Sequence, residues 1–248
     1  MKLDNIIAVR PTKTVYRDGD KCIKVFNEES ASSVLRQALN LSIVAESGIH
    51  APKFIEVVKT DGKWALVSEF IEGKTIEQLI RENPGKYEEY MDRFVDIQLE
   101  MHMAAAAGLN KLKDKMHRKI RESGLDATAR YELHTRLDSI EEHKKLCHGD
   151  YNPSNVIITD KDEAYIIDWA HATQGNASAD AARTYLLFRL SGDIKSAELY
   201  MKLFCIKSDT AKQYVEKWLS IVAASQLGKN KSEQREFLIH WANIADYE

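Results

Sequence analysis

Asp150, Asn155 and Asp168 are the side chains whose types and spacing could do chemistry. They lie in the run C-H-G-D-Y-N-P-S-N-V-I-I-T and, after a short turn, Y-I-I-D-W, from Cys147 to Trp169. Two carboxylates and one carboxamide so spaced suit phosphoryl transfer. An Asp that orients an attacking hydroxyl, followed five residues later by an Asn that holds metal, is a recurrent interval in such sites. That reaction asks little covalent work of a protein. The phosphate charge must be neutralised and the acceptor hydroxyl held in line. Mg²⁺ takes hard oxygen donors and keeps several waters, so Asp168 and the Asn155 amide oxygen suffice as ligands. Asp150, left free of metal, can then accept the acceptor's proton. Taken singly, Asp150 and Asn152 equally suit a turn-rich loop whose side chains bond the local backbone. Only the three positions together point to a reaction.

These groups need elements to position them. Val156 to Thr159 reads as a strand, Asp160 to Glu163 as its turn and Ala164 to Ile167 as the returning strand, which brings Asp168 back beside Asn155. In the N-terminal third, Asn5 to Val9, Thr14 to Tyr16 and Lys21 to Phe26 read as strands, with a turn at Asp18-Gly19. A helix follows from Ser30 to Ser47, with Val34, Ala38, Leu41 and Ala45 on one face and Gly48 as its stop. A second hairpin, Phe54 to Lys59 and Lys63 to Phe70, turns at Asp61-Gly62. Strands, one helix and strands again make a small α+β lobe. Beyond Gly73 the pattern turns helical. Thr75 with Gln78 opens a capping box, and helices are expected over 87–105, 112–123, 127–142, 179–190, 194–205, 210–225 and 232–245. The pair carrying Asn155 and Asp168 is the only strand pair expected there.

The string H-G-D-x-x-P-x-N followed by I-I-D-W resembles the signature of the aminoglycoside phosphotransferase and choline kinase family, which shares the protein-kinase-like fold. The resemblance implies a two-lobed ATP- and Mg²⁺-dependent kinase of small hydroxylated molecules such as amino alcohols, sugars or aminoglycosides. It makes Asp150 the catalytic base, Asn155 and Asp168 the Mg²⁺ ligands, His148 a brace for the catalytic loop, and Asp180 a second support of that loop. It divides the chain into a nucleotide-binding lobe over 1–71 and a helical lobe over 72–248, with nucleotide between them. Alternation on K-C-I-K-V-F puts Cys22, Lys24 and Phe26 on one face. By resemblance, Lys24 contacts the α- and β-phosphates and the backbone of Glu69 and Ile71 meets the adenine edge. Two positions depart from the pattern. Relatives carry a Glu that pairs with the strand lysine, and here the best-matching residue is the uncharged Gln37. Kinase-like folds usually cover the phosphates with a glycine-bearing loop, whereas Arg10 to Thr14 has no glycine. Thr12, Thr14 or the Lys13 ammonium is left to reach phosphate, unless all three are solvated turn residues.

Composition narrows the alternatives. The 248 residues are 44% hydrophobic and 29% charged, which suits a folded chain able to bury a sizeable core. With 35 basic and 38 acidic residues the formal net charge is −3, which speaks against a nucleic-acid binder with a broad positive surface. The basic run from Lys111 to Arg121 carries Leu112, Met116 and Ile120 at helical spacing, so a solvated amphipathic helix accounts for it. No apolar run is long enough to span a membrane, and Cys22, Cys147 and Cys205 give neither a disulfide framework nor a zinc spacing. A cytoplasmic location is expected, and oligomeric state is not readable. Two competing readings stand beside the kinase. One is a nucleotide-binding pseudokinase or scaffold, motivated by Gln37 and the glycine-free loop. The other is a metal-dependent phosphohydrolase recruiting His102 and His171, which is disfavoured because such sites gather more metal ligands.

Overall fold

The structure is a computed structural model that describes residues 2–229 and 232–243. Strands β1 (Asn5–Val9), β2 (Lys13–Asp18) and β3 (Lys21–Phe26) precede helix α1 (Ala31–Glu46). Then come β4 (Phe54–Thr60), β5 (Lys63–Glu69), β6 (Lys74–Thr75), α2 (Ile76–Glu82), α3 (Tyr87–Met103), α4 (Leu112–Arg121) and α5 (Ala127–Ser139). Three short strands follow, β7 (Lys145–Cys147), β8 (Val156–Ile158) and β9 (Ala164–Ile166). After β10 (Thr173–Gly175) the chain is helical through α6 (Ala177–Leu190), α7 (Ile194–Ser208), α8 (Lys212–Glu216), α9 (Leu219–Gln226) and α10 (Ser232–Asn243). Packing divides these elements into two compact units, Met1–Glu82 with Pro153–His171, and Asn83–Asn152 with Ala172–Glu248. The hairpin carrying Asn155 and Asp168 therefore packs with the N-terminal elements, although the division at 71 and 72 read from sequence groups it with the rest of the chain.

In the first unit, an antiparallel sheet runs in the order β1-β2-β3-β5-β4. Its β4–β5 turn has positive φ at both Asp61 (48°) and Gly62 (77°), as a hairpin turn matching strand twist requires. Period-two alternation sorts the side chains: Ile23, Val25, Ala65 and Val67 cluster on one face, and Phe26 and Leu66 meet Val34 and Ala38 of α1 on the other. Ser30 caps α1 by accepting the Ser33 N–H. A second sheet runs β6-β8-β9. Gly73 permits it, because a Cβ there would sit 2.4 Å from the Ile158 carbonyl oxygen and the backbone holds a φ of 153°. The expected capping box is present, with Gln78 N–H bonding Thr75 Oγ1 (3.1 Å) and Thr75 N–H bonding Gln78 Oε1 (2.8 Å).

The second unit is mainly helical around Phe94, Tyr151, Phe188, Tyr200 and Phe204, whose rings pack at centroid distances of 4.4 to 6.3 Å. It corrects the sequence reading in two places. A further strand pair, β7 with β10, lies here, and the helix expected over 210–225 is broken between α8 and α9. The end of the helix expected to reach Ala245 lies outside the described residues. No helix among the described residues is long and apolar enough to cross a membrane.

Candidate active site

Asp168 follows β9 at a backbone φ of 66°, in the left-handed region that few side chains adopt. Such a conformation persists only where neighbours enforce it. Here Trp169 Nε1 donates to the Ile166 carbonyl (2.8 Å), and the buried Asn40 amide of α1 donates to the carbonyls of Trp169 and Ala170 (3.3 Å each). The turn is thereby pinned from both sides. Asn155 is buried at the start of β8, and its carbonyl accepts the Ile167 N–H (2.9 Å), so the hairpin sets Asn155 and Asp168 side by side.

Two ammonium groups share the Asp168 carboxylate. Lys24 Nζ lies 2.9 Å from Oδ1, and Lys13 Nζ lies 2.9 Å from Oδ2. Burial alone would raise the Asp168 carboxyl; the charges of Lys24 and then Lys13, with their hydrogen bonds, outweigh it and hold the group far below the usual carboxylate range. Burial likewise opposes charge on Lys24, but Asp168 more than compensates and raises it. Lys24, Asp168, Asn155, Gln37, Glu69 and Ile71 all line one cavity of about 410 Å³, and every residue lining it belongs to the first unit. Arg10 and Lys13 line it too. Gln37 lies on the cavity wall, while Lys24 takes its charge partner from Asp168 instead.

Asp150 and His148 belong to the second unit. His148 is fully buried, and its Nδ1 accepts the Asp150 N–H (3.2 Å). Asp180, on the first turn of α6, accepts the backbone N–H groups of His148 (3.1 Å) and Gly149 (2.6 Å) and pairs with His102 Nε2 (3.1 Å). Burial would raise the Asp180 carboxyl, but the His102 hydrogen bond and charge, with lesser help from His148 and the Gly149 N–H, leave it below its ordinary value. Tyr151 adds two anchors, its hydroxyl donating to the Phe94 carbonyl (2.7 Å) and its carbonyl accepting Thr184 Oγ1 (2.9 Å). His102 is thus committed to Asp180. Arg183, one helical turn beyond Asp180, sends Nη2 to within 3.7 Å of Asp150 Oδ1, while its Nε and Nη1 are buried with no hydrogen-bond partner among the described residues.

Sequence reasoning assigned no role to Asn40 or Arg183, and for Lys13 it offered phosphate but not the pairing with Asp168. Asn40 left one signal, an amide flanked by Leu39 and Leu41 in an otherwise apolar stretch. The Lys13 pairing left only a cation in a loop lacking glycine. Arg183 left none.

A model of the phosphotransferase enzyme family matches residues 12–214. The chain belongs to that family. Among solved structures, this phosphotransferase is similar to the aminoglycoside phosphotransferase APH(4)-Ia at 14% identity and TM-score 0.71, covering 96% of this chain and 89% of the other. A type VIII aminoglycoside-3'-phosphotransferase is similar at 17% identity and TM-score 0.65, over 88% of this chain and 93% of the other. The choline kinase LicA from Streptococcus pneumoniae is similar at 13% identity and TM-score 0.64, over 97% and 91%. At such identities the likeness shows the protein-kinase-like fold. Thermostable variants of APH(4)-Ia have been crystallised with hygromycin B and ADP or AMP-PNP, and LicA with AMP. Among curated proteins none matches this phosphotransferase.

Proposed function

We infer that the chain moves the γ-phosphate of ATP to a hydroxyl of a small molecule, with Asp150 as base and Mg²⁺ held by Asn155 and Asp168. The observation that carries this reading is the cavity in which Lys24, Asp168 and Asn155 meet, on a chain of the phosphotransferase family. The residues present fit the absent groups. Asp168 and Asn155 offer the hard oxygens that Mg²⁺ takes, and no cluster of three or more His, Cys, Asp or Glu among the described residues would favour another ion. Two lysines against one carboxylate, with Arg10 nearby on the wall, leave positive charge for a polyphosphate. Ile7, Val15, Leu66, Ile71 and Ile167 give the same cavity an apolar part suited to a purine.

Mg²⁺, when bound, supplies charge neutralisation at the phosphoryl oxygens. The chain's own groups do the rest. Lys24 holds the α- and β-phosphates. The Asp150 carboxylate orients the acceptor O–H and takes its proton as the new O–P bond forms and the bond to the ADP oxygen breaks. Asp180 and His148 hold the backbone around Asp150 in the shape this requires. APH(4)-Ia and LicA, whose structures contain purine nucleotides, support the nucleotide assignment. Hygromycin B bound to APH(4)-Ia, and the likeness to a choline kinase, support an amino alcohol, sugar or aminoglycoside-like acceptor. The three cysteines are free, which agrees with a reducing, cytoplasmic setting for an ATP-dependent reaction.

The test is transfer from labelled ATP to a panel of amino alcohols, sugars and aminoglycosides. Transfer is expected, and Asp150→Asn should lower kcat by roughly 10²–10⁴ while ATP still binds. No transfer together with no ATP binding by calorimetry would defeat the reading. Gln37 at the position of the usual acid favours a second reading, nucleotide binding without turnover. ATP raising the melting temperature with no transfer to any acceptor would select it.

A further inference from the structure

The loop joining β1 to β2 has few backbone donors to offer a phosphate. Arg10 N–H donates to the Lys13 carbonyl (2.8 Å) and Lys13 N–H donates to the Arg10 carbonyl (3.3 Å), so both amides at its ends are committed. The carbonyls of Pro11 and Thr12 are taken by Asn27, through Nδ2 (3.0 Å) and the backbone N–H (2.9 Å). No glycine allows a close backbone approach. Pro11 has no N–H, so few backbone donors remain for a phosphate, and Lys13 is the side chain of this loop whose charge already reaches the floor of the cavity, at Asp168.

That contact has a second side. Asp168 is flanked by two ammonium groups, with side-chain exposures of only 17% for Lys13 and 16% for Lys24. A bare divalent cation approaching Asp168 meets two positive charges in a partly desolvated wall, where repulsion is weakly screened. A phosphate oxygen offers Lys13 an equivalent partner. We propose that Lys13 is an exchangeable counter-ion: it closes Asp168 to metal in the ligand-free protein and passes to a nucleotide phosphate when nucleotide enters, freeing Asp168 for the metal. This rests on the cavity being the Mg²⁺–nucleotide site. Its consequence is that metal and nucleotide bind cooperatively, each tightening the other.

The experiment measures two equilibria on the full chain, Mn²⁺ binding by electron paramagnetic resonance without nucleotide and ADP binding by calorimetry. In the parent protein, Mn²⁺ alone should bind weakly and ADP should tighten it. Lys13→Met should shift the two in opposite directions, tightening Mn²⁺ alone about tenfold and weakening ADP about tenfold, as expected for one charged contact exchanged. Lys13→Arg should restore ADP affinity, and Lys13→Gln serves if the methionine variant does not fold. ADP affinity within twofold of the parent, or Mn²⁺ affinity unchanged or weaker, overturns the exchange. A parent protein that binds no ADP even with Mn²⁺ defeats the nucleotide reading itself, whatever Lys13 does.

Discussion

Asp180 shows how a side chain can govern the candidate base by holding the backbone that precedes it. It is fully buried, and it holds His148 and Gly149 by their backbone N–H groups. Replacing it with Asn keeps the shape but turns one of its acceptor oxygens into a donor facing buried N–H groups, and leaving such groups unsatisfied costs about 1–3 kcal/mol. Chemical denaturation of Asp180→Asn should show that loss. Asp168 and Asp180 are both held below their ordinary carboxyl values, so the folded chain binds fewer protons than the unfolded one as pH falls. Their contribution is fully present above about pH 4 and drains away below it. Melting temperature should therefore fall steeply on acidification, and less steeply in Asp180→Asn. Arg183 should behave in the opposite way. Burial disfavours its charge, Asp150 and Asp180 oppose that only in part, and two of its nitrogens have no hydrogen-bond partner among the described residues. Asp150 keeps about a third of its side chain in water, so removing the guanidinium strands no buried charge. Arg183→Met should leave the melting temperature unchanged or raise it, and a clear drop would show that the pair stabilises the fold. The meeting of Asn155 and Asp168 was legible because one short hairpin with fixed intervals joins them. The pairing of Lys13 with Asp168 was not, because residues so distant in sequence leave no local pattern when a fold brings their charges together.

Elements with a clear period were readable, and those without one were not. Strands β1 to β5 alternate and end in turn residues, and α1 carries Val34, Ala38 and Leu41 at helical spacing between Ser30 and Gly48, so the structure finds each nearly where expected. Strands β7 and β10 have three residues each, too few to show alternation, and they exist because they pair with each other. The break between α8 and α9 is equally silent, since apolar residues continue across it and Trp218 is fully buried within it. Gly73 gives this scale its sharpest test. Gly73→Ala would drive a methyl group into the Ile158 carbonyl, and the β6–β8 pairing must yield or the backbone must shift. We expect a loss of at least about 1–3 kcal/mol, read by thermal or urea unfolding. Gly19→Ala makes the comparison, because its Cβ would meet nothing within 4 Å and only its φ of 63° resists.

At the scale of the molecule, the sheet, α1 and the hairpin of β8 and β9 form one unit built from two separated stretches of chain. The N-terminal stretch alone lacks Trp169 and Ala170, whose carbonyls the buried Asn40 amide needs. A fragment ending at residue 82 should therefore fail to give a cooperative unfolding transition, and adding a peptide of residues 153–171 should restore one. Independent folding of the fragment would contradict this dependence.

The same interruption sets an order on biosynthesis. His171, the last residue of the unit, is made eighty-nine residues after Glu82. At ordinary translation speeds that is on the order of ten seconds during which the nascent sheet waits at the ribosome with the floor of its cavity missing. Asn40 must stay hydrated and α1 incompletely covered for that interval, so a slow codon stretch before residue 171 would prolong exposure to chaperones and proteases.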